Sequence, residues 1–210
     1  MIKILIADDH PIVRKGLKQI LAETPNIIVA GEANNGAEVL KKVLKNEYDM
    51  VLLDISMPGR DGIDTLKELK DLKPNLPVLI LSIHSEDQYA MRVLRAGAYG
   101  YLTKESAPEE LISAIRTVSL GRKYISPSVA EKLVFNLDNN AEKRPHDKLS
   151  DREYQVMHMI ASGKTVKEIS EDLSLSVKTI STYRARILEK MKMKNIAELI
   201  RYAIKNGLVT

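Results

Sequence analysis

Short apolar runs alternate with amphipathic stretches along residues 1–121. The runs are Lys3-Ile4-Leu5-Ile6-Ala7, Ile27-Ile28-Val29-Ala30, Met50-Val51-Leu52-Leu53, Val78-Leu79-Ile80-Leu81 and Tyr99-Gly100-Tyr101-Leu102. Strands that are apolar along their whole length belong to parallel sheets covered on both faces. Stretches with helical spacing lie between them, near 11–23, 36–47, 62–72, 85–97 and 108–120, and Gly97 and Gly121 stand where helices stop. Five strand–helix units predict an α/β doubly wound five-stranded parallel sheet.

The rhythm changes near residue 122. Residues 127–135 suit a short helix, and 136–147 are polar with little to bury, so 122–147 is expected to be a linker. After it, four helix starts announce themselves. Ser150 precedes Glu153 by three and Thr165 precedes Glu168 by three, the spacing of a capping box. Asn195 and Glu198 form a looser variant, and Ser176 is a plain cap for a helix over about 177–191. Gly163 and Gly207 fall at helix ends. The expected division is 1–121, linker 122–147, and an all-α four-helix domain over 148–210.

Charge separates the two parts further. Residues 1–121 carry 15 basic and 17 acidic side chains, a balance of −2, while 148–210 carry 12 and 7, a balance of +5. A basic C-terminal part suits a polyanionic partner, although many basic domains bind none. With no cysteine, disulfides and thiolate-bound zinc are excluded. No apolar run approaches the roughly 20 residues of a membrane span, and Met1 leads straight into a strand-like segment. A soluble, cytoplasmic protein is expected.

In a doubly wound sheet, ligands bind beyond the carboxyl ends of the strands. There the sequence puts Asp8-Asp9 after the first run, Asp54 after the third, Ser82 after the fourth and Lys104 after the fifth. Crowded carboxylates repel one another and need a cation, and Mg²⁺ suits an all-oxygen site. An aspartate so placed can act as a nucleophile toward phosphorus. Any one of these aspartates reads equally well as a cap or turn residue; the set argues for a site. The four histidines have no metalloprotease spacing, and His10 is expected to pack or cap locally.

Asp8-Asp9-His10-Pro11, Asp54 with Met57-Pro58 and Asp61-Gly62, Ser82, and Gly97-Ala98 followed by Tyr101 and Lys104 resemble the receiver domains of response regulators. The resemblance implies a flavodoxin-like fold in which Asp54 is phosphorylated by a sensor histidine kinase. It implies Mg²⁺ held by Asp9, Asp54 and the carbonyl of Ser56, with Asp8 acting largely through water. Ser82 and Tyr101 match a hydroxyl-and-aromatic switch, in which Tyr101 turns inward as Ser82 moves toward the phosphate, and Lys104 matches the phosphate-contacting lysine.

In the second part, Thr165–Asp172 and Val177–Met191, joined by Leu173-Ser174-Leu175-Ser176, have the spacing of a helix-turn-helix. Helical projection gathers Ile180, Tyr183, Ile187 and Met191 on a buried side and leaves Lys178, Ser181, Thr182, Ala185 and Glu189 opposite. Arg184, Arg186, Lys190, Lys192 and Lys194 flank that face. Leu149-Ser150-x-Arg152-Glu153, Ala161-x-Gly163, Lys167-Glu168-Ile169, Leu175-Ser176-x-Lys178-Thr179-Ile180 and Lys190-Met191 resemble the LuxR-type output domain, and the whole chain resembles the NarL/FixJ family of response regulators. The family commonly has Ala where this chain has Ser170, and His where it has Tyr183. The resemblance implies contacts with double-stranded DNA by Lys178, Thr179, Ser181, Thr182, Arg184, Ala185 and Arg186.

The expected function is a transcription regulator, not an enzyme, that forms a homodimer when phosphorylated. Ile196, Leu199, Ile200 and Ala203 of the last helix are candidates for pairing two output domains. Two other classes compete. A phosphatase using Asp54 is disfavoured because Asp54-Ile55-Ser56 lacks a second aspartate. A regulator whose output domain binds only protein is disfavoured by the +5 balance.

Overall fold

The structure, a computed structural model, describes residues 1–57, 62–84, 86–127, 129–131 and 144–209. It divides into two compact units, Met1–Leu133 and Val134–Thr210. Pro58 and Asp61 of the receiver-like motif, and residues 132–143 of the expected linker and short helix, lie outside the described residues.

In the first unit, strands β1 (Ile2–Ala7), β2 (Ile27–Ala33), β3 (Met50–Leu53), β4 (Val78–Ser82) and β5 (Gly100–Thr103) alternate with helices α1 (Pro11–Ala22), α2 (Gly36–Lys45), α3 (Gly62–Leu72), α4 (Glu86–Arg95) and α5 (Pro108–Ser119). The sheet order is β2-β1-β3-β4-β5 with every pair parallel. Each predicted element is present within a few residues of its expected bounds.

Every residue of β3 and β4 is buried, which explains their unbroken apolar runs. Side chains alternate across the sheet. Ile4, Ile6, Met50, Leu52, Leu79, Leu81 and Leu102 pack with Leu17 and Leu21 of α1 and Leu111, Ala114, Ile115 and Val118 of α5. The intervening Leu5, Val51, Leu53 and Ile80 are buried as well, as are the inner residues of α2, α3 and α4. Strand order reverses between β1 and β3, so the crevice for a ligand opens there, where Asp8-Asp9 and Asp54 leave the sheet.

The first unit does not end at Gly121. Tyr124 donates its backbone N–H to Tyr99 O at 2.7 Å and bridges Gly100 beside β5, and Val129 is buried. At the other end, a 3₁₀ turn over Pro145–Lys148 buries His146, whose Nδ1 lies 2.7 Å from the Tyr202 hydroxyl. The expected linker 122–147 is therefore held at both ends, because Tyr124, Val129 and His146 bring ring and aliphatic surface that a solvated linker lacks.

The second unit contains α6 (Asp151–Ala161), α7 (Val166–Asp172), α8 (Val177–Met191) and α9 (Ile196–Lys205). Ser150–Glu153 and Thr165–Glu168 form reciprocal capping boxes. Asn195 accepts from Glu198 N, but the Glu198 carboxylate reaches Lys194 N instead of the cap's own, which is the looser variant. Gly163 takes φ +88° just past α6, where a side chain is strained. Among the described residues no helix is long and apolar enough to cross a membrane.

Gly62 fixes the approach of α3 to β3. A Cβ there would lie 2.3 Å from Ile55 Cα and 2.6 Å from Asp54 O, and backbone cannot yield cheaply. Gly62→Ala is expected to destabilise the first unit by about 1–3 kcal/mol, as overpacking does. Hydrogen exchange in urea, followed separately in peptides of the two units, would register a lower midpoint in the first alone. Equal midpoints for variant and wild type would contradict this packing.

Candidate phosphoacceptor site and DNA interface

The carboxyl ends of β1, β3, β4 and β5 bring the expected residues together. Ligand atoms of Asp8, Asp9, His10 and Asp54 all lie within 4.8 Å of one another. Asp8 and Asp54 are 1% exposed, and Lys104 Nζ reaches both, 2.7 Å from Asp54 Oδ2 and 2.7 Å from Asp8 Oδ2. The other Asp54 oxygen accepts from Ser56 N at 3.0 Å. Asp8 Oδ1 accepts from His10 N at 2.8 Å, and its carbonyl accepts from Arg14 Nη1 at 2.6 Å, so α1 fixes the β1 turn.

Lys104 pairs with two of the three clustered carboxylates and Asp9 is met by the His10 ring, leaving excess negative charge. Burial pushes the Asp54 carboxyl above its ordinary value, against the pull of Lys104 and Ser56 N, and the Asp8 charge adds to the rise. For Lys104 burial works downward, but Asp54 and Asp8 outweigh it and hold the ammonium above its ordinary value. Ser56 Oγ is buried with no hydrogen-bond partner among the described residues. Asp9 Oδ1 is met by the His10 ring, 2.8 Å away, rather than by a well-directed hydrogen bond. His10 thus does more than cap α1: its ring lies within the acidic cluster, and it makes no side-chain cap bond.

The switch pair converges on a residue that no sequence pattern marks. Ser82 Oγ accepts from His84 N at 3.2 Å, and the Tyr101 hydroxyl donates to His84 O at 2.8 Å. Tyr101 is 3% exposed, so it already stands in the inward position that the resemblance assigns to the switched form. The His84 ring stacks on Tyr89 of α4, with centroids 4.8 Å apart. Spacing alone gives no signal for a residue engaged chiefly through its peptide.

In the second unit, α8 packs on α6 and α7 with Ile180, Ile187 and Met191 buried. Tyr183 is only half-buried, because the groove beside it is open: Ser176, Lys178, Thr179, Thr182, Tyr183 and Arg186 line a depression of about 340 Å³. Lys178, Ser181, Thr182, Arg184, Ala185 and Arg186 are exposed as expected. The Thr179 hydroxyl lies 2.8 Å from Ser176 Oγ, within the helix cap.

Lys190, expected to flank the groove face, pairs instead with buried Glu153 at 2.6 Å. Burial pushes the Glu153 carboxyl up, but Lys190 and the Ser150 cap outweigh it and hold it below its ordinary value. The hydroxyl of Ser170 donates to Lys167 O at 2.7 Å, so the departure there is satisfied locally. In α9, Leu199 and Ala203 are fully buried in their own unit, leaving Ile196 and Ile200 partly open and Ile204 exposed.

A doubly wound domain with an acidic crevice, followed by a helix-turn-helix with an exposed recognition helix, defines a two-domain response regulator. The chain matches the family "Response regulator receiver domain" over residues 4–116 and "Bacterial regulatory proteins, luxR family" over 147–203. It is 39% identical over 209 residues to response regulator UvrY of Escherichia coli strain K12, covering 99% of this chain and 96% of that protein. RcsB of Salmonella enterica serovar Typhimurium, solved bound to promoter rprA in the presence of the phosphomimetic BeF3-, is 27% identical over the full length of both chains, with a TM-score of 0.67. A structure of two RcsB dimers bound to two parallel DNAs is 30% identical, covers 100% of this chain and 99% of that one, and has a TM-score of 0.59. The chain belongs to the NarL/FixJ family of response regulators.

The raised pKa of Asp54 has a consequence for stability. The contribution of this carboxyl to folding is complete below its ordinary value of 3.8 and is lost as pH rises through the higher folded value. Asp54→Asn, which keeps the shape without the charge, should therefore raise the urea midpoint of the first unit at pH 7. That gain should shrink as the pH falls and wild-type Asp54 takes up a proton. An Asn variant less stable than wild type at pH 7 would contradict the assigned burial cost.

Proposed function

We propose that Asp54 accepts a phosphoryl group from the phosphohistidine of a sensor histidine kinase. A carboxylate oxygen bonds to phosphorus as the phosphorus–nitrogen bond breaks, and the leaving imidazole takes up a proton. The observation that carries this reading is the meeting of Asp54, Asp8 and Lys104 Nζ at the sheet's switch point. Lys104 holds Asp54 in place before transfer and is within reach of a phosphoryl oxygen after it.

The donor set fits Mg²⁺: hard carboxylate oxygens, excess negative charge and, among the described residues, Asp8 Oδ2 and Asp9 Oδ1 buried without a well-directed hydrogen bond. Asp8, Asp9, Asp54 and the carbonyl of Ser56 would hold the ion, which supplies charge neutralisation on the transferring group.

The added charge, roughly 1.5–2 units, draws the Ser82 hydroxyl toward Asp54 and favours the inward Tyr101. We infer that the output is DNA binding by a homodimer, in the cytoplasm where DNA and kinase are met, and not catalytic turnover. Exposed Lys178, Ser181, Thr182, Arg184, Ala185 and Arg186 face the DNA, with Thr179 at the helix start. The half-open Ile196 and Ile200 and the exposed Ile204 offer α9 a narrower pairing face than four apolar positions suggested. RcsB, solved as dimers on DNA, supports this reading by similarity.

Duplexes selected by the full chain from a random pool supply the test. Mg²⁺ and acetyl phosphate should tighten wild-type binding at least about tenfold, the effect of about 1.4 kcal/mol of coupling. Asp54→Ala should bind equally with and without the donor. Affinity should fall steeply with salt, and Arg184→Ala or Arg186→Ala should each reduce the slope by about 0.9. Donor-independent affinity in the wild type, or a flat salt dependence, would contradict the proposal.

A further inference from the structure

The segment that follows α5 lies against the same elements that frame the switch. At Tyr124 it joins the free edge of β5 through the N–H bond to Tyr99 O and the bridge to Gly100. The approach is close: a Cβ on Gly100 would lie 2.8 Å from Tyr124 O and 3.1 Å from Tyr124 Cβ. The Tyr124 hydroxyl donates to Glu110 Oε1 of α5 at 3.0 Å, and burial followed by that carboxylate pushes its pKa up to about 12. Two residues on, Ser126 Oγ donates to Glu86 Oε2 at 2.5 Å. Ser126 also opens the helical turn after it, accepting from Ala130 N at its carbonyl and from Val129 N at its hydroxyl.

Glu86 is the first residue of α4 and lies two residues beyond His84. His84 is the residue that Ser82 and Tyr101 hold by its N–H and its carbonyl. Ser82 and Ser126 thus bond to positions two residues apart around the start of α4, His84 and Glu86. In this structure the bond to Ser126 is made while Tyr101 stands inward.

We propose that residues 122–127 and 129–131 form a strap that engages α4, β5 and α5 only while Tyr101 is inward, reporting the switch to the chain leading toward the second unit. The proposal rests on the phosphoacceptor reading for what drives the switch, not for the coupling itself. The strap also takes the backbone edge of β5 at Tyr99, so that position is closed to pairing with a second copy. By reciprocity, whatever Tyr101 does to the strap, the strap does to Tyr101 by the same factor.

Hydrogen exchange on the full chain tests this at the amides of Tyr124, Val129 and Ala130, with Leu5 and Leu52 as core references. Tyr101→Ala, which leaves Tyr124, Ser126 and Glu86 themselves in place, should speed strap exchange at least about fivefold, the lower end of typical coupling, and leave the references unchanged. Ser126→Ala should speed exchange at His84 N by a similar factor. If Tyr101→Ala also loosens the core references, Tyr101→Phe, which removes only the hydroxyl, becomes the deciding variant. Strap exchange unchanged in the deciding variant would overturn the proposal. A parallel sample with Mg²⁺ and acetyl phosphate, checked by intact mass, separates the two ideas. An absent phosphoryl group defeats the phosphoacceptor reading and leaves the Tyr101 comparison to decide the strap.

Discussion

Lys104 meets two buried carboxylates, Asp54 and Asp8, each at 2.7 Å. Taking any of these ions from water costs several kcal/mol, and Lys104 offsets that cost for Asp54 only in part, since burial still leaves its carboxyl above the ordinary value. The sheet makes the meeting possible: β1 and β3 are neighbours, and β5 lies two strands further along the same edge. Arg14, the Asp8–His10 turn and Ser56 N then fix the loops from which the carboxylates point. The balance is incomplete, because one amine pairs with two of three clustered carboxylates. That residue of negative charge suits a divalent cation, which would in turn offset the charge of a phosphoryl group.

What such a site can signal depends on what touches it. Ser82 and Tyr101 do not simply face each other; they hold the N–H and the carbonyl of His84. On the proposed reading, a charge added at Asp54 that draws Ser82 acts on the start of α4, where Glu86 accepts from Ser126. The second unit is stabilised independently by its own caps and by the Glu153–Lys190 pair. That pair joins the first turn of α6 to the last turn of α8 and so steadies the recognition helix. Its contribution is present above the ordinary pKa of Glu153 and is lost as pH falls through the lowered folded value.

The sheet, its helices and the acidic crevice were legible because burial on both faces writes itself as apolar runs, and the strand ends then name the site residues. Capping boxes were legible for a similar reason: Ser150 and Thr165 act on neighbours three residues away. Long-range bonding left no such trace. Nothing in the spacing joins Ser126 to Glu86 or Tyr124 to Glu110, so a segment read as linker proved to be part of the first unit. Lys190 read as a groove-side cation because its partner Glu153 lies 37 positions away. Leu199 and Ala203 read as a free face because helical projection cannot tell which neighbour covers it.

The central claim is that Asp54, and not Asp8 or Asp9, is the nucleophile. Incubating the full chain with Mg²⁺ and acetyl phosphate, reducing with borohydride and sequencing the peptides by mass spectrometry addresses it directly. An acyl phosphate is converted by that treatment to an alcohol, marking its residue as homoserine. The structure predicts homoserine at position 54 and aspartate at 8 and 9, with no conversion when Mg²⁺ is chelated. Conversion at 8 or 9, or none at 54 with the ion present, would contradict the account.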